Sequence, residues 1–162
     1  MMDARNRFYL ALSMATEAHE GQKDKAGLPY ILHPIGVAHL VQTVAGHQPS
    51  LAMDELHQAA LLHDVLEDTE LTMVDLLDAG FSAQVIRGVR TVSRREGEAY
   101  TVFIDRIAKG ERFGMVLKLA DLEHNLHHRQ LFEGATRQQQ RKYERAQIEL
   151  TRALREDERR KQ

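Results

Sequence analysis

The residues Ala59-Ala60-Leu61-Leu62-His63-Asp64-Val65-Leu66-Glu67-Asp68-Thr69 form the stretch that decides the fold. On a helix, the four polar side chains from His63 to Asp68 fall within an arc of roughly 140°, and apolar side chains fill most of the remaining circumference. So wide an apolar surface is typical of a helix in the protein interior. The stretch therefore predicts a buried central helix, running from about Met53 to Asp68.

This stretch also carries one imidazole and three carboxylates into the interior. Neighbouring carboxylates cannot all stay ionised in a dry interior without a compensating cation. We therefore expect a bound metal ion, with further ligands from other parts of the chain. The candidate ligands are His33, His63, Asp64 and Asp121. Two histidines with two carboxylates suit manganese, iron, zinc, cobalt or nickel better than calcium or magnesium.

Glu67 and Asp68 follow the His63-Asp64 pair by one helical turn. A divalent ion lowers the pKa of a bound water and offsets charge on a phosphoryl oxygen. Glu67 and Asp68 are therefore the candidates to orient or protonate that water. As mere solubilising residues they would oppose the helix dipole, because carboxylates are unfavourable near a helix C-terminus. That local cost favours a functional reason for the pair.

The composition indicates an ordinary globular domain of 162 residues, with 43% hydrophobic and 28% charged residues. Nine histidines are many for this length, and the absence of cysteine leaves only nitrogen and oxygen ligands for a metal. A net charge of -2 gives no electrostatic case for nucleic-acid or membrane partners. Since no signal peptide and no long apolar run occur, the expected compartment is the cytoplasm.

The pattern of caps and apolar positions predicts an all-α fold without strands, in one domain over residues 1–162. The predicted helices run from Asp3 to about His19, from His33-Pro34 to Gly46, from Met53 to Asp68, from Thr72 to Ala79, from Ser82 to Val92, from Tyr100 to Lys109, from about Arg112 to Gln130 and from Thr136 to Gln162. The core covers about residues 8–131. A charged C-terminal helix, about residues 136–160, either packs on the body or projects from it, with a dimer contact as the alternative to a solvated helix.

Four blocks of the chain, taken together, resemble a known family. The blocks are Ala18-His19-Glu20-Gly21-Gln22, Gly27-Leu28-Pro29-Tyr30-Ile31-Leu32-His33-Pro34, the stretch 59–69 and Lys118-Leu119-Ala120-Asp121 with His124-Asn125. The order H…HD…D resembles the signature of HD-domain metal-dependent phosphohydrolases. Over about residues 8–131 the blocks resemble the hydrolase domains of Rel/Spo-type alarmone enzymes and the small stand-alone alarmone hydrolases.

The resemblance implies a function and a set of site residues. It implies one divalent ion, usually manganese, at His33, His63, Asp64 and Asp121. It implies that Glu67 and Asp68 support attack of water on the 3′-diphosphate of guanosine tetra- or pentaphosphate, with release of pyrophosphate. Asn125 would hold the ribose, and Lys25 would lie in the nucleotide-facing loop. No room remains after residue 131 for a synthetase domain, so the expected role is degradation only.

Two positions depart from the family pattern. The family places Arg-Lys before the Gly-x-Pro-Tyr block, and this arginine stacks on the base; here the pair is Asp24-Lys25. The family's second arginine, after the last metal aspartate, is Leu122. Neither residue replaces a planar guanidinium, which both stacks on a base and binds phosphate. We therefore expect a relaxed or altered base preference, with adenine alarmones as candidate substrates.

Alternatives stay open for several side chains. Tyr30 either lines the substrate pocket or closes its loop onto the core, and Lys118 either meets substrate phosphate or extends from a buried face. His124, His127 and His128 form either a second zinc site or, as the sequence favours, a partly exposed polar helix face.

Three functions compete. The first is a manganese-type pyrophosphohydrolase of nucleotide 3′-diphosphates. The second is an HD-type nucleotidase or phosphomonoesterase. The third is a nucleotide-binding regulatory module with low turnover, against which the intact Glu67-Asp68 pair argues. The expected partner is a small-molecule nucleotide, and self-association into a homo-oligomer is left open.

Overall fold

The structure is a computed structural model that describes residues 3–46, 51–128 and 136–160. The helices are α1 (Ala4–Ala18), α2 (Leu32–Ala45), α3 (Met53–Leu62), α4 (Val65–Asp68), α5 (Met73–Asp78), α6 (Ala83–Val92), α7 (Tyr100–Ala108), α8 (Arg112–His128) and α9 (Arg137–Arg160). In this part of the chain the β-type pairing consists of an isolated bridge between Lys23 and Pro29. The predicted all-α fold is therefore confirmed.

The predicted N-terminal caps are formed. The Asp3 carboxylate accepts a hydrogen bond from the Asn6 N–H at 2.7 Å, at the start of α1. Thr72 and Asp75 form a reciprocal capping box at the start of α5. Ser82 caps α6 by accepting from the backbone N–H three residues along. These local hydrogen bonds explain why the starts of three helices were readable from sequence. The predicted ends of the last two helices, at Gln130 and Gln162, lie outside the described residues.

The predicted central helix is not continuous, and this expectation was wrong. Helix α3 ends at Leu62, His63 and Asp64 form a turn, and α4 begins at Val65. The Nδ1 atom of His63 lies 2.8 Å from the carbonyl oxygen of Ala60. In a continuing helix this carbonyl would accept the N–H of Asp64, so the imidazole competes with the backbone at the break.

Burial along the stretch 59–69 also differs from the expectation. Helix α3 is buried as predicted, and residues Ala59 to His63 are each at most 2% exposed. By contrast, Glu67 and Asp68 are exposed. The turn after His63 brings the acidic end of the stretch to the surface of the domain. The expectation that all three carboxylates lie in a dry interior and need a compensating cation therefore does not hold for Glu67 and Asp68.

Helix α3 is central to the core and packs against α1, α2, α6 and α8. Helices α6 and α8 approach closely at Gly88, where an added Cβ atom would lie 2.3 Å from Cε1 of Phe113. The contacts among α2, α3 and α8 bring the start of α2, the end of α3 and the middle of α8 together in one region of the domain. Among the described residues, no helix combines the length and apolar character needed to cross a lipid bilayer.

Helix α9 packs on α7 and α8 rather than projecting from them. Its apolar side chains Ala146 and Leu150 are 3% and 0% exposed. At its far end, Arg112 of α8 is buried and pairs with Asp157 and Glu158 of α9. The charged C-terminal helix is thus joined to the body by both an apolar face and a buried ionic contact.

Candidate metal centre

Four side chains predicted as metal ligands converge from three parts of the chain. His33 lies in the first turn of α2, His63 and Asp64 form the turn between α3 and α4, and Asp121 lies in α8. The Nε2 atoms of the two histidines are 3.2 Å apart. Oδ2 of Asp64 lies 2.9 Å from Nε2 of His63 and 3.4 Å from Nε2 of His33.

Asp121 closes the fourth side of this cluster. Its Oδ1 atom lies 3.2 Å from Nε2 of His33 and 3.7 Å from Nε2 of His63. Atoms that each bind one ion at about 2.1 Å lie roughly 3.0 to 3.4 Å apart at octahedral or tetrahedral angles. Ligand atoms of His33, His63 and Asp64 all lie within 4.8 Å of one another. These three side chains form a donor set that fits a divalent ion, and Asp121 lies beside them with its Oδ1 close to both histidines.

The electrostatics of the cluster point the same way. Burial alone would lower the pKa of His63, but the carboxylates of Asp64 and Asp121 outweigh it and raise the pKa to about 10. Burial would raise the pKa of each carboxyl group, yet adjacent cationic groups hold both pKa values well below the usual range. The cluster thus favours a positive charge at its centre, whether protons or a metal ion supply it.

The second ring nitrogen of His33 has its own partner. Nδ1 of His33 lies 2.9 Å from Nδ1 of His124 in α8. Gly36 leaves the space for this ring, because a Cβ atom there would lie 2.1 Å from Nε2 of His124. Metal-binding histidines usually bond through their other nitrogen to a group that fixes the ring. Sequence reasoning favoured a polar surface role for His124 and missed this contact, although His124 follows Asp121 by one helical turn.

The histidines near the end of α8 do not form a metal cluster of their own within the described residues. Among the described residues, the side chains close enough together to bind a metal as a group of three are His33, His63 and Asp64. The rings of His124 and His128 are stacked, with centroids 5.7 Å apart. His127 is exposed and lies 3.4 Å from a carboxylate oxygen of Glu123.

Lys118 and Asn125, both predicted to bind substrate, each donate a hydrogen bond to Asp121. Nζ of Lys118 donates to Oδ2 of Asp121 at 2.6 Å, and Nδ2 of Asn125 donates to Oδ1 at 2.6 Å. Both side chains also line the cavity beside the cluster. Their first structural effect is to orient Asp121 and to compensate its buried charge.

Tyr30 closes the loop between α1 and α2 onto the cluster. Its hydroxyl donates to Oδ2 of Asp64 at 2.6 Å and lies 3.5 Å from Oδ2 of Asp68. Burial, and then the charge of Asp64, raises the pKa of Tyr30, so the hydroxyl keeps its proton as a donor. Of the two alternatives for Tyr30, the structure shows loop closure, and the ring also lines the cavity.

The Asp24-Lys25 pair lies in this same loop. The Asp24 carboxylate accepts the N–H of Leu28 at 2.8 Å, and its other oxygen lies 3.2 Å from Nε2 of His128. Asp24 therefore fixes the loop and ties it to α8. Lys25 lines the cavity, as the prediction of a substrate-facing residue requires.

Glu67 and Asp68 lie at the edge of the cluster, Glu67 held by a backbone N–H and Asp68 by a glutamine side chain. Oε1 of Glu67 accepts the N–H of Arg94 at 2.7 Å. The Asp68 carbonyl accepts from Gln22 at 2.7 Å, and Gln22 in turn contacts the buried ring of His19. Both residues are exposed overall, but the surrounding protein removes part of the water around their carboxyl groups. This partial desolvation, together with the nearby charge of Asp64, raises the pKa of both groups. Glu67 lines the cavity.

The cavity beside the cluster has a volume of about 430 Å³. One part of its wall is aromatic and cationic, which was not expected from the sequence. This part comprises Tyr100 and Phe103 of α7 with Lys142 and Tyr143 of α9. Nζ of Lys142 lies 3.8 Å from the ring centroid of Tyr100, a cation–π contact. The spacing of Tyr143, Ala146 and Leu150 marks one face of α9 and was the available signal that this helix reaches the site.

The all-α fold and the His/Asp cluster define a class: a helical domain with a metal-type nitrogen and oxygen site opening into a polar cavity. The chain belongs to the HD-domain family, whose model matches residues 11–155. This result confirms the resemblance drawn from the H…HD…D order.

Comparison with individual proteins narrows the relationship. The guanosine-3′,5′-bis(diphosphate) 3′-pyrophosphohydrolase MESH1 of Danio rerio is 36% identical over 121 residues, which cover 71% of this chain and 64% of that protein. The bifunctional (p)ppGpp synthase/hydrolase SpoT of Escherichia coli is 33% identical over 134 residues, or 76% of this chain and 18% of that protein. The matches thus span less than two thirds of either relative.

A solved structure is also similar. It is described as a metazoan ortholog of SpoT that hydrolyzes ppGpp and plays a role in starvation responses. The similarity has a TM-score of 0.76 at 27% identity and covers 92% of this chain and 85% of the other. The likeness therefore includes nearly the whole helical arrangement.

Proposed function

We propose that this protein is a metal-dependent phosphohydrolase that removes pyrophosphate from the 3′-diphosphate of a ppGpp-type nucleotide. One observation carries the proposal: the convergence of His33, His63, Asp64 and Asp121 beside a cavity that Glu67 also lines. The names of the similar proteins supply the reaction and the substrate class.

The four cluster residues would hold one divalent ion, and manganese is the metal we propose. When bound, the ion would lower the pKa of water and offset charge on a phosphoryl oxygen. The protein's contribution is to fix the ligand atoms. His124 orients His33, the Ala60 carbonyl orients His63, and Lys118 with Asn125 orients Asp121. Iron, cobalt, nickel and zinc share this ligand preference and form the comparison set.

Glu67 is the proposed acid–base residue, and Asp68 assists it. The Arg94 N–H fixes one oxygen of Glu67, which leaves the other oxygen to exchange a proton with water in the cavity. A raised pKa suits this task, because the group can then both accept and release a proton nearer neutral pH. Asp68 adjoins the Tyr30 hydroxyl at 3.5 Å, on the same side of the cluster.

The cavity walls support a nucleotide as substrate. Lys25, Tyr30, Lys118 and Asn125 are the proposed polar contacts, and each lines the cavity. The rings of Tyr100 and Tyr143, with centroids 6.3 Å apart, also line the cavity and provide apolar surface. A base can stack on such rings with little preference for its hydrogen-bonding edge. Since Asp24 stands where the family has a stacking arginine, we propose a relaxed base preference that extends to adenine.

The second candidate function is an HD-type nucleotidase, and the Asp24 position favours it. The Asp24 carboxylate contacts Leu28 and His128, and it cannot stack on a guanine base as the planar guanidinium of an arginine does. The two functions differ in product, because a nucleotidase releases orthophosphate and the proposed reaction releases pyrophosphate.

The cellular setting follows as part of the proposal. We propose a single hydrolase domain over residues 1–162 that acts on free nucleotides in the cytoplasm, without nucleic-acid or membrane partners. Self-association through α9 is testable by light scattering of the purified chain.

The decisive experiment is an assay of the purified, manganese-loaded chain against matched guanine and adenine nucleotides with and without a 3′-diphosphate. Release of pyrophosphate from both 3′-diphosphates is the expected result. Orthophosphate as the product would favour the nucleotidase, and strict guanine preference would contradict the relaxed base pocket. Asp64→Ala should lose metal binding and activity together, whereas Asp78→Ala, at an exposed position of α5, is the matched control.

A further inference from the structure

A second concave surface lies next to the cavity and is rich in arginine. It has a volume of about 720 Å³ and is bounded by α5, α6 and the loop that follows α6. Its arginines are Arg87, Arg90, Arg94, Arg95 and Arg106, and we call this surface the arginine groove. Glu111 is the acidic residue among the described residues that line it. So positive a lining contrasts with the net charge of -2 of the whole chain.

One arginine of the groove is already satisfied. Nε and Nη2 of Arg106 bind the Glu98 carboxylate at 2.8 and 2.9 Å. Its remaining donors bind the carbonyl oxygens of Thr91 and Ser93 at 2.9 and 3.0 Å. Arg106 therefore stabilises the end of α6 and the loop after it, and it contributes a rigid floor to the groove.

The other arginines have far less compensation from the groove itself. Glu111 lies 3.9 Å from Nε of Arg87, at the outer limit of an ion pair, and both side chains are more than half exposed. One such carboxylate cannot neutralise four guanidinium groups. Arg87 and Arg90 are three residues apart in α6 and so lie on one side of this helix. Arg94 follows the extended residue Ser93 in the loop after α6 and lines the same groove. Like charges at this spacing repel, which makes the surface receptive to an anion.

The groove is physically joined to the proposed active site. Arg94 lines both the groove and the cavity beside the His/Asp cluster. The backbone N–H of the same residue donates to Oε1 of Glu67 at 2.7 Å. An anion bound by Arg94 in the groove would therefore contact the same residue whose backbone N–H binds Glu67, the proposed acid–base residue.

We propose that the arginine groove is a second binding site for a diphosphate group. Forked guanidinium donors match the paired oxygens of a diphosphate, and neighbouring arginines can bind both phosphoryl groups at once. The same chemistry is offered by free pyrophosphate and by the diphosphate end of a nucleoside diphosphate. The link to turnover rests on the proposed function, since pyrophosphate would be its product, whereas binding in the groove does not depend on it.

Calorimetric titration of the full chain in the presence of EDTA tests the binding directly. Inorganic pyrophosphate is the first probe and guanosine diphosphate is the second. The test variant is Arg87→Gln with Arg90→Gln, because neither residue lines the active cavity. The control is Arg155→Gln with Arg159→Gln, which removes the same charge from an exposed face of α9.

The expected result is a loss of pyrophosphate affinity of about tenfold or more in the α6 variant, as for loss of charge-assisted hydrogen bonds. The control should stay within about twofold of the unaltered chain, because charge at a distance is largely screened. Equal affinity in the α6 variant and the unaltered chain would overturn the proposal, as would equal losses in both variants. Binding of pyrophosphate alone would identify the free anion as occupant, and binding of both probes would identify the diphosphate group of either.

The outcome is separable from that of the proposed function. If the manganese-loaded chain releases no pyrophosphate from any nucleotide, the groove can still bind the anion without metal. Conversely, the chain can release pyrophosphate while its α6 variant binds this anion as tightly as the unaltered chain does. That result would support the proposed function and reject the proposed binding site in the groove. Circular dichroism confirms that the variants are folded, which is expected because both altered side chains are exposed.

Discussion

Nδ1 of His33 and Nδ1 of His124 lie 2.9 Å apart, although the two residues are 91 positions apart in sequence. His33 turns its Nε2 atom toward the cluster at the same time. The imidazole of His33 is therefore held at both nitrogens, and its orientation does not depend on the metal alone. Burial lowers the pKa of His124 to about 4, so this ring is neutral and can accept the proton of His33.

Loss of this support should weaken metal binding. We predict that His124→Ala lowers the affinity for manganese or zinc by about tenfold or more, as for other residues that orient a metal ligand. Gly36→Ala should have a similar effect, because the added methyl group would occupy the space of the His124 ring. Calorimetric titration with the metal measures both variants. His127→Ala, at an exposed position of the same helix, is the control and should bind normally.

Turnover should be separable from metal binding at Glu67. Glu67→Gln keeps an oxygen that can accept the Arg94 N–H, but it removes the ionisable group. We predict unchanged metal affinity and a loss in kcat of about 10²- to 10⁴-fold. Steady-state kinetics and metal titration on the same preparation provide the measurement. Near-normal turnover in this variant would show that another group handles the proton.

The pH profile should show a displaced acidic limb. Burial, aided by the charge of Asp64, raises the pKa of Glu67 above its ordinary value of 4.5. A base must be ionised, so the rate should fall as the pH drops through this raised value. We therefore predict that the acidic limb of kcat/KM lies above 4.5. A limb at or below that value would exclude Glu67 as the base. The same raised pKa means that the ionised form costs stability near neutral pH, so Glu67→Gln should raise Tm slightly or leave it unchanged.

Lys118 should contribute more to the stability of the metal-free protein than to that of the loaded one. Its ammonium group is buried beside Asp121 at 2.6 Å. Without it, Asp121 would be left as a buried and poorly compensated carboxylate, at a cost of about 3 kcal/mol or more. We predict a marked fall in the Tm of Lys118→Met without metal, and a partial recovery when a divalent ion is added. Denaturation with and without metal measures the difference; Lys109→Met, at an exposed position, should change neither value.

Helix α9 should affect both stability and substrate binding. Leu150 is fully buried on the inner face of this helix, so Leu150→Ala should lower the free energy of unfolding by about 2 to 5 kcal/mol. Ile148 lies two residues away and is 70% exposed, which makes Ile148→Ala a matched control with little effect. Because Lys142 and Tyr143 line the cavity, Leu150→Ala should also raise KM more than it lowers kcat. Urea denaturation and kinetics of both variants test this pair of expectations.

The local part of the fold was predictable from sequence because its causes are local. Asp3, Thr72 and Ser82 each bond to a backbone N–H within their own helix, so the signal is complete within a few residues. The break at His63 was not predictable in this way. At this break the His63 imidazole contacts the Ala60 carbonyl through Nδ1. Nε2 of the same ring lies 3.7 Å from Asp121, which belongs to α8 and is distant in sequence. Tertiary contacts here outweigh the helical pattern of the stretch.

The grouping of His33, His63, Asp64 and Asp121 was predictable because these residue types are chemically unusual together. In the structure Nε2 of each histidine lies within 3.7 Å of a carboxylate oxygen of each aspartate. The supporting residues were not predicted. Lys118 pairs with Asp121 within α8 itself, a local contact three residues apart that the sequence interpretation had not used. His124 acquires its partner His33 only when α8 packs beside α2. The cavity wall on α9 was missed for the same reason, because a charged helix with few apolar residues gives little indication of what its buried face covers.

Because Lys142 and Tyr143 come from α9, this helix has a consequence for how the proposed enzyme can diversify. Two of the proposed ligands belong to α2 and α8 and two to the turn after α3, and these elements pack together in the core, so their positions tolerate little change. Helix α9 instead adds its part of the cavity from outside, through one narrow apolar face and the buried Arg112 contact. Selectivity can therefore be altered by selection or by design in α9 while the reacting centre is left intact. A library restricted to the cavity-facing positions of this helix is where new nucleotide preferences should first emerge.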